Sequence, residues 1–199
     1  MKPYMKNEEI RLFQKYLLTS QRFLEFGSGG STLYAIEQGV PQIMSLETDK
    51  SWLDKLQKDP QIQEKIKKSE LELVFQDLFV DWWKYVSWAP ESLLIPEKLV
   101  EKWKNYSNLL LKKKFNPDLV LIDGRFRVAS LLKLYHTLSE KCIILFHDYS
   151  IRPQYHIVEE FFTPLELVNT LQVFRKKSLE EVDLSKLPDL ILSYELVID

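Results

Sequence analysis

Short apolar runs alternate along the chain with segments whose apolar residues recur at helical spacing. Runs of strand length occupy residues 23–26, 42–47, 71–75, 118–122 and 142–146. The spacing predicts helices over residues 10–18, over 33–40, from residue 50 onward and over 128–138. Strands that alternate with helices are typical of an α/β protein built on a parallel sheet.

The chain beyond residue 150 departs from this alternation. A helix is predicted through residues 157–162, followed by two strand-like runs at 171–175 and 190–197. The polar stretch 176–189 between these runs lacks the pattern of a crossover helix, so we expect the two strands to be antiparallel. The predicted fold is a Rossmann-like, doubly wound α/β sheet, mostly parallel, with an antiparallel C-terminal strand pair.

Composition and charge narrow the class of protein. A chain of 199 residues with 45% hydrophobic residues predicts one domain over 1–199, with an aromatic-rich insertion at about 78–115. The formal net charge of -2 predicts no nucleic-acid and no membrane partner. The charged N-terminus and the lack of an apolar run of about 20 residues predict a cytoplasmic protein. Cys142 is the only cysteine, which excludes a multi-cysteine metal site.

A glycine-rich turn follows the first predicted strand. Gly27, Gly29 and Gly30 lie within four positions, shortly after Glu25. Glycine lets a ligand approach bare backbone, and the first amides of the following helix have no partner within that helix. The turn therefore predicts a nucleotide or nucleoside pocket. The dinucleotide pattern Gly-x-Gly-x-x-Gly is incomplete, because Thr32 stands in its third glycine position.

Polar residues also end the other predicted strands. Glu47 ends the second strand, 20 positions after Gly27, and this is the separation at which a carboxylate meets ribose hydroxyls. Asp49 is the alternative if the strand ends later. The next three strands are followed by Asp77, by Asp123, and by the pair His147 and Asp148. Since ligands of open α/β sheets bind above the carboxyl ends of the strands, we expect these side chains to surround one pocket.

The order of four motifs resembles that of class I S-adenosylmethionine (SAM) dependent methyltransferases over nearly the whole chain. The motifs are residues 25–32 (EFGSGGST), Glu47, residues 121–124 (LIDG) and residues 145–149 (LFHDY). The likeness is strongest to small bacterial-type members whose fourth strand ends in Ile-Asp-Gly and whose fifth ends in His-Asp. The resemblance implies SAM as cofactor and S-adenosylhomocysteine (SAH) as product. The implied cofactor-binding residues are Glu25, Gly27, Ser28, Gly29, Gly30, Ser31, Thr32, Glu47, Asp77 and Asp123.

The resemblance also implies transfer of a methyl group to an oxygen or nitrogen of a small-molecule acceptor. His147 is the candidate base because its ordinary titration lies near neutrality, and Asp123 is expected to face the methyl group or the acceptor. The candidate substrate contacts are Arg125, Asp148, Tyr149, Arg152 and Trp88.

A divalent cation serves some members of this superfamily. Asp123 and Asp148 are the oxygen ligands that magnesium would use here. Tyr149 replaces the further carboxylate or amide that is usual beside the second ligand, so no required metal is expected.

Two other functional classes share parts of these patterns. A SAM- or SAH-binding protein without catalysis would keep the same glycine turn, so the sequence does not separate it from an enzyme. An NAD-dependent oxidoreductase is disfavoured by Thr32 in the third glycine position and by the antiparallel ending. The aromatic insertion has two interpretations, a binding loop or a small additional core.

Overall fold

A seven-stranded sheet forms the centre of the part of the chain that the structure, a computed structural model, describes, namely residues 1–78 and 97–197. Its strands are β1 (Arg22–Phe26), β2 (Gln42–Glu47), β3 (Leu71–Phe75), β4 (Leu119–Ile122), β5 (Ile143–Phe146), β6 (Phe162–Val168) and β7 (Leu171–Lys176). Their spatial order is β3-β2-β1-β4-β5-β7-β6. The first five strands are parallel, and β7 is antiparallel to both of its neighbours. The predicted fold class is confirmed.

Helices cover both faces of this sheet. They are α1 (Asn7–Leu17), α2 (Gly30–Glu37), α3 (Lys50–Leu56), α4 (Pro60–Lys67), α5 (Glu97–Ser107), α6 (Leu109–Lys112), α7 (Arg127–Leu134) and α8 (Leu187–Tyr194). Two 3-10 helices span Pro153–Glu160 and Leu184–Lys186. Within the described ranges, no helix has the length and apolar character needed to cross a membrane.

Strand β4 shows why both faces are covered. All four of its residues are buried, with Val120 and Ile122 in one core cluster and Leu119 and Leu121 in the other. Successive side chains of a strand point to opposite faces, so an unbroken apolar strand needs apolar partners on both sides. The first cluster includes buried side chains of α5 and α7, and the second includes those of α1 and α2. This is the doubly wound arrangement.

The strand register brings four strand tips to one edge of the sheet. The last residue of β1 pairs with Leu46 of β2 and with the last residue of β4, which in turn pairs with the last residue of β5. The next positions along these strands are Gly27, Glu47, Asp123 and His147. These four positions therefore lie side by side at the carboxyl edge of the sheet.

The C-terminal helix α8 corrects one prediction. Residues 190–197, predicted as a strand, lie largely in this helix and in the turn that follows it. Leu187 is buried, and Leu190, Ile191 and Tyr194 pack against the same core cluster. These positions have the spacing of one helix face, which the contiguous apolar run at 190–192 obscured.

The other member of the antiparallel pair that ends the sheet is β6, a strand that the sequence analysis missed. Pro164 interrupts its pattern, and the register shifts between Pro164 and Glu166. Because β6 lies at the edge of the sheet, one of its sides has no ladder partner in the described sheet, and a proline is tolerated there. The helix predicted through residues 157–162 is a 3-10 helix that ends before β6.

The predicted insertion at about 78–115 falls partly outside the described residues. Residues 79–96, which include Trp88, belong to that part. The remainder contains α5 and α6, and Trp103 and Tyr106 of α5 are buried in the first core cluster. Both side chains belong to the main core on this face of the sheet rather than to a separate small core, and Tyr106 also lines the cavity described below.

Candidate functional site

A cavity of about 600 Å³ opens at the carboxyl edge of the sheet. Small-molecule sites commonly have volumes of ~300–1,000 Å³, so a ligand of nucleoside size fits. The wall is made by residues 1–5, the glycine turn, the tips of β2 and β4, and side chains of α3, α5 and α7. The cavity therefore lies where ligands of open α/β sheets bind.

Eight of the predicted site residues line this cavity. They are Gly27, Ser28, Gly29, Gly30, Ser31, Glu47, Asp123 and Arg125. The predicted residues that lie outside the lining are Glu25, Thr32, Asp77, His147, Asp148, Tyr149 and Arg152. Trp88 lies outside the described residues. The cavity thus gathers the glycine turn and two of the acidic strand tips.

Gly27 is required by the packing between the tips of β1 and β4. Its φ is +100°, a value that disfavours every residue with a side chain. A Cβ atom here would lie 2.9 Å from the carbonyl oxygen of Asp123, which is too close for any side chain. The glycine turn and the Asp123 backbone therefore lie in direct contact.

Glu25 lies behind the glycine turn and is fully buried. Its carboxylate accepts hydrogen bonds from Ser31 (2.7 Å), from Ser45 (2.8 Å) and from the Thr32 hydroxyl. The Thr32 oxygen in turn accepts from the backbone N–H of Gly29 (3.0 Å). Burial raises the pKa of Glu25 to about 7, although the three hydroxyl donors lower it. These contacts tie β1, β2 and the start of α2 together and so fix the turn.

Glu47 lies on the cavity wall at the tip of β2. Its Oε1 accepts from the backbone N–H groups of Thr48 (2.7 Å) and Asp49 (2.9 Å). Burial raises the pKa of this carboxyl group, and the two backbone hydrogen bonds oppose that shift. The backbone therefore fixes the orientation of the carboxylate before any ligand binds.

Two aromatic side chains complete the wall and were not predicted as site residues. Trp52 Nε1 donates to the carbonyl oxygen of Ser28 (2.9 Å), so the indole ring braces the glycine turn. The buried Tyr106 hydroxyl accepts from the backbone N–H of Arg125 (3.0 Å). Helical periodicity assigns both rings to apolar helix faces. No local sequence pattern separates a core aromatic residue from one at a cavity wall.

Asp123 connects the cavity to a buried histidine. Its Oδ1 lies 2.9 Å from His147 Nδ1, and His147 Nε2 lies 3.7 Å from Glu9 Oε2 on α1. Glu9 is itself fixed, because it accepts from the backbone N–H and the hydroxyl of Thr170 (2.9 and 2.8 Å). The imidazole ring thus lies between two carboxylates, one of which faces the cavity.

The charges around His147 favour its protonated form. Burial lowers its pKa, but the hydrogen bond to Asp123 and the carboxylates of Asp148 and Glu9 outweigh burial. The pKa of His147 is therefore raised above its ordinary value. A protonated imidazole donates to Asp123 and carries a positive charge behind the cavity wall.

Tyr149 and Arg152, two predicted substrate contacts, have partners inside the protein. Tyr149 is 3% exposed, and its hydroxyl donates to Glu159 Oε1 (2.6 Å). Arg152 donates to the hydroxyl of Tyr155 (2.9 Å). These contacts direct both side chains toward the 3-10 helix Pro153–Glu160.

Asp77, the predicted adenine contact, follows β3. Its Oδ2 forms an ion pair with Lys102 Nζ of α5 at 3.0 Å. Both side chains are partly exposed, so the pair contributes at most about 1 kcal/mol to stability.

The N-terminal strap, defined as residues 1–5, crosses over the start of α2. A Cβ atom at Gly30 would lie 2.0 Å from the carbonyl oxygen of Lys2 and 2.8 Å from the nitrogen of Pro3. Gly30 is therefore required for the close approach of two backbones. Pro3 is buried, and the strap forms the cavity wall beside the glycine turn.

No family model and no curated protein sequence match the chain. Solved structures do match it. A methyltransferase-like protein from Silicibacter pomeroyi superposes with a TM-score of 0.72 at 23% identity, over 98% of this chain and 97% of that chain. The chain has the class I methyltransferase fold. At this identity the likeness concerns the fold alone.

Two other solved structures with this methyltransferase fold contain SAH. One is the O-methyltransferase from Bacillus cereus, with a TM-score of 0.55 and 12% identity over 86% of this chain and 82% of that chain. The other is an SAH-bound methyltransferase from Podospora anserina, with a TM-score of 0.50 and 16% identity over 87% of this chain and 80% of that chain.

The protonation of His147 can be followed directly by NMR. The pKa of His147 is higher in the folded protein than in the unfolded protein. The stability that protonated His147 contributes is therefore fully present below the pKa of the unfolded state, and it is lost as the pH rises through the pKa of the folded state. We expect its ring proton to titrate above pH 6.5. Asp123→Asn should lower the midpoint more than Glu9→Gln, since Asp123 is closer. A midpoint at or below 6.5 in the wild type would contradict this arrangement.

The burial of Glu25 predicts a pH dependence of stability. The pKa of Glu25 in the folded protein, about 7, exceeds the ordinary 4.5. The stability that protonated Glu25 contributes is therefore fully present below pH 4.5 and is lost as the pH rises through about 7. The loss is on the order of 3 kcal/mol. Urea unfolding from about pH 5 to pH 8 should therefore show a smaller loss for Glu25→Gln than for the wild type. The exposed β3 substitution Glu72→Gln serves as control, and equal losses in both variants would count against the prediction.

The strap contact predicts a local effect of Gly30→Ala. Alanine suits the first turn of a helix better than glycine, so global stability should change little, whereas its Cβ atom displaces the strap. We expect the ¹H–¹⁵N heteronuclear NOE values of Tyr4 and Met5 to fall. At Gly29 a Cβ atom would meet only Trp52 at 3.6 Å, so Gly29→Ala should leave these values unchanged. Unchanged values in Gly30→Ala would disprove the contact.

Proposed function

We propose that this protein is a SAM-dependent methyltransferase that acts on an oxygen or nitrogen atom of a small molecule. The main support is that the glycine turn, Glu47 and Asp123 line one cavity at the carboxyl edge of the sheet. The neighbours of the same fold that contain SAH support SAM as the cofactor.

The residues of the cavity suit the parts of SAM. The bare backbone of the turn at Gly27 and Gly29 would admit the methionine end, and the first residues of α2, Gly30 and Ser31, line the same cavity. The Glu47 carboxylate can accept from both ribose hydroxyls. Leu78 and Tyr106 offer the apolar and aromatic surface that an adenine ring needs.

We assign different roles to Asp123 and His147 in the removal of the acceptor proton. When bound, SAM supplies an electrophilic methyl group for direct displacement by the acceptor. The task of the chain is to orient the acceptor and to take its proton. Asp123 lines the cavity, so we assign the proton to its carboxylate. His147 is only 7% exposed and is hydrogen-bonded to Asp123, so we assign it a positioning role.

Arg125 is the proposed contact for the substrate. It lines the cavity two residues after Asp123, and its backbone N–H is fixed by the Tyr106 hydroxyl. A guanidinium group suits a carboxylate or phosphate on a small molecule. The roles of Asp148, Tyr149, Arg152 and Trp88 in substrate binding stay predictions.

The cofactor assignment is tested by titration calorimetry of the protein with SAM and with SAH. We expect micromolar binding by the wild type. Glu47→Gln should weaken it about ten- to one-hundredfold, because a charged hydrogen-bond acceptor for the ribose is lost. Glu72→Gln, on the neighbouring strand and outside the cavity, should bind as the wild type does.

Two outcomes would redirect the assignment. Binding of NADH rather than SAM would favour an oxidoreductase. Tight SAM binding without conversion to SAH across pools of small-molecule acceptors would favour a binding protein that lacks catalysis. If transfer is found, Asp123→Asn should abolish most of it while SAM affinity changes less, since Asp123 acts on the acceptor.

A further inference from the structure

The acidic tips of β4 and β5 form a cluster that has the composition of a cation site. Asp123, His147 and Asp148 each offer a ligand atom, and these atoms lie within 4.8 Å of one another. Two carboxylates and an imidazole at this separation would suit a divalent metal ion. In this protein a side chain balances the negative charge of the cluster.

The guanidinium group of Arg127 lies between the two carboxylates. Its Nη2 is 3.3 Å from Asp123 Oδ1, and its Nη1 is 3.1 Å from Asp148 Oδ2. Nη1 also donates to the carbonyl oxygen of His147 (2.7 Å), and Nε donates to that of Gly124 (3.0 Å). The Arg127 side chain is 8% exposed, and those of Asp123 and Asp148 are 23% and 24% exposed.

Arg127 lies at a position in its helix that is unfavourable for a positive charge. It is the first residue of α7, where the helix dipole disfavours a positive charge. The residue before it, Phe126, has a φ of +49°, which is uncommon for a residue with a side chain. A cation is thus kept at an unfavourable helix position, which indicates that its contacts with the acidic cluster outweigh this cost.

A divalent ion does not fit beside this arginine. Asp123 Oδ1 already interacts with His147 Nδ1 and with the guanidinium group, and Asp148 Oδ2 interacts with the same guanidinium group. A metal at the centre of the cluster would have to displace these partners. It would also lie next to a buried positive charge, where repulsion is weakly screened.

We infer that Arg127 is a built-in cation that occupies the position of a divalent ion between Asp123 and Asp148. It is a positioning residue, because it holds the Asp123 carboxylate at the wall of the cavity. The consequence for chemistry rests on the proposed methyltransferase function. Without a metal to bind and acidify the acceptor, the acceptor proton goes to a side chain. The substrate class is then one with a single nucleophilic atom rather than a metal-chelating pair of hydroxyls.

The test is a titration with Mn²⁺ alone, in the absence of SAM, followed by calorimetry. The wild type should show no binding up to about 1 mM. Arg127→Ala removes the guanidinium group and leaves the acidic ligands, so it should gain Mn²⁺ affinity by at least about tenfold. Adding Asp148→Asn to this variant should remove the gained affinity. Arg11→Ala, which deletes an exposed arginine paired with Glu8, controls for net charge and should not bind Mn²⁺.

Either of two results overturns the inference. One is wild-type Mn²⁺ binding in the micromolar range that Asp148→Asn removes, a measurement that does not depend on the folding of any Arg127 variant. The other is a folded Arg127→Ala that binds Mn²⁺ no better than the wild type. Arg127→Lys provides a further check, since a retained positive charge should keep Mn²⁺ out. SAM binding is measured separately, so failure of the cofactor assignment remains distinguishable from failure of this inference.

Discussion

The close backbone contact between the tips of β1 and β4 is the constraint on which the rest of the site depends. Gly27 has no room for a side chain because the Asp123 carbonyl oxygen would lie 2.9 Å from its Cβ position. Gly124 is similarly restricted by the Tyr106 hydroxyl and by the backbone of Phe26. This contact places a glycine turn and a carboxylate on the wall of the same cavity.

The acidic residues at the carboxyl edge carry the same functional group but differ in their hydrogen-bond partners. Glu25 is buried against three hydroxyl groups and shapes the turn. Glu47 is oriented by two backbone amides, and Asp123 is held by His147 and Arg127. The three carboxylates thus differ in their surroundings, because each has a different degree of burial and a different set of hydrogen-bond donors.

The sequence predicted the four inner parallel strands because burial on both faces leaves a strong signal, whereas the edge strand β3 was predicted from its alternating pattern. Continuous apolar runs such as Leu119–Ile122 have few other interpretations. The signal was weaker at the C-terminus, where β6 is an edge strand with a proline and α8 presents only one apolar face. There an antiparallel pair was predicted correctly, but its second member was assigned to residues 190–197, which lie in α8 and in the turn that follows it.

The sequence by itself determined which residues end the strands, and hence that Gly27, Glu47 and Asp123 share one edge. Periodicity and chain direction fix those positions locally. The tertiary structure alone decided that Arg127 lies between two carboxylates and that the N-terminal strap covers Gly30. Both depend on contacts between segments that are distant in the chain or on the direction of a single side chain, and neither leaves a periodic trace in the sequence.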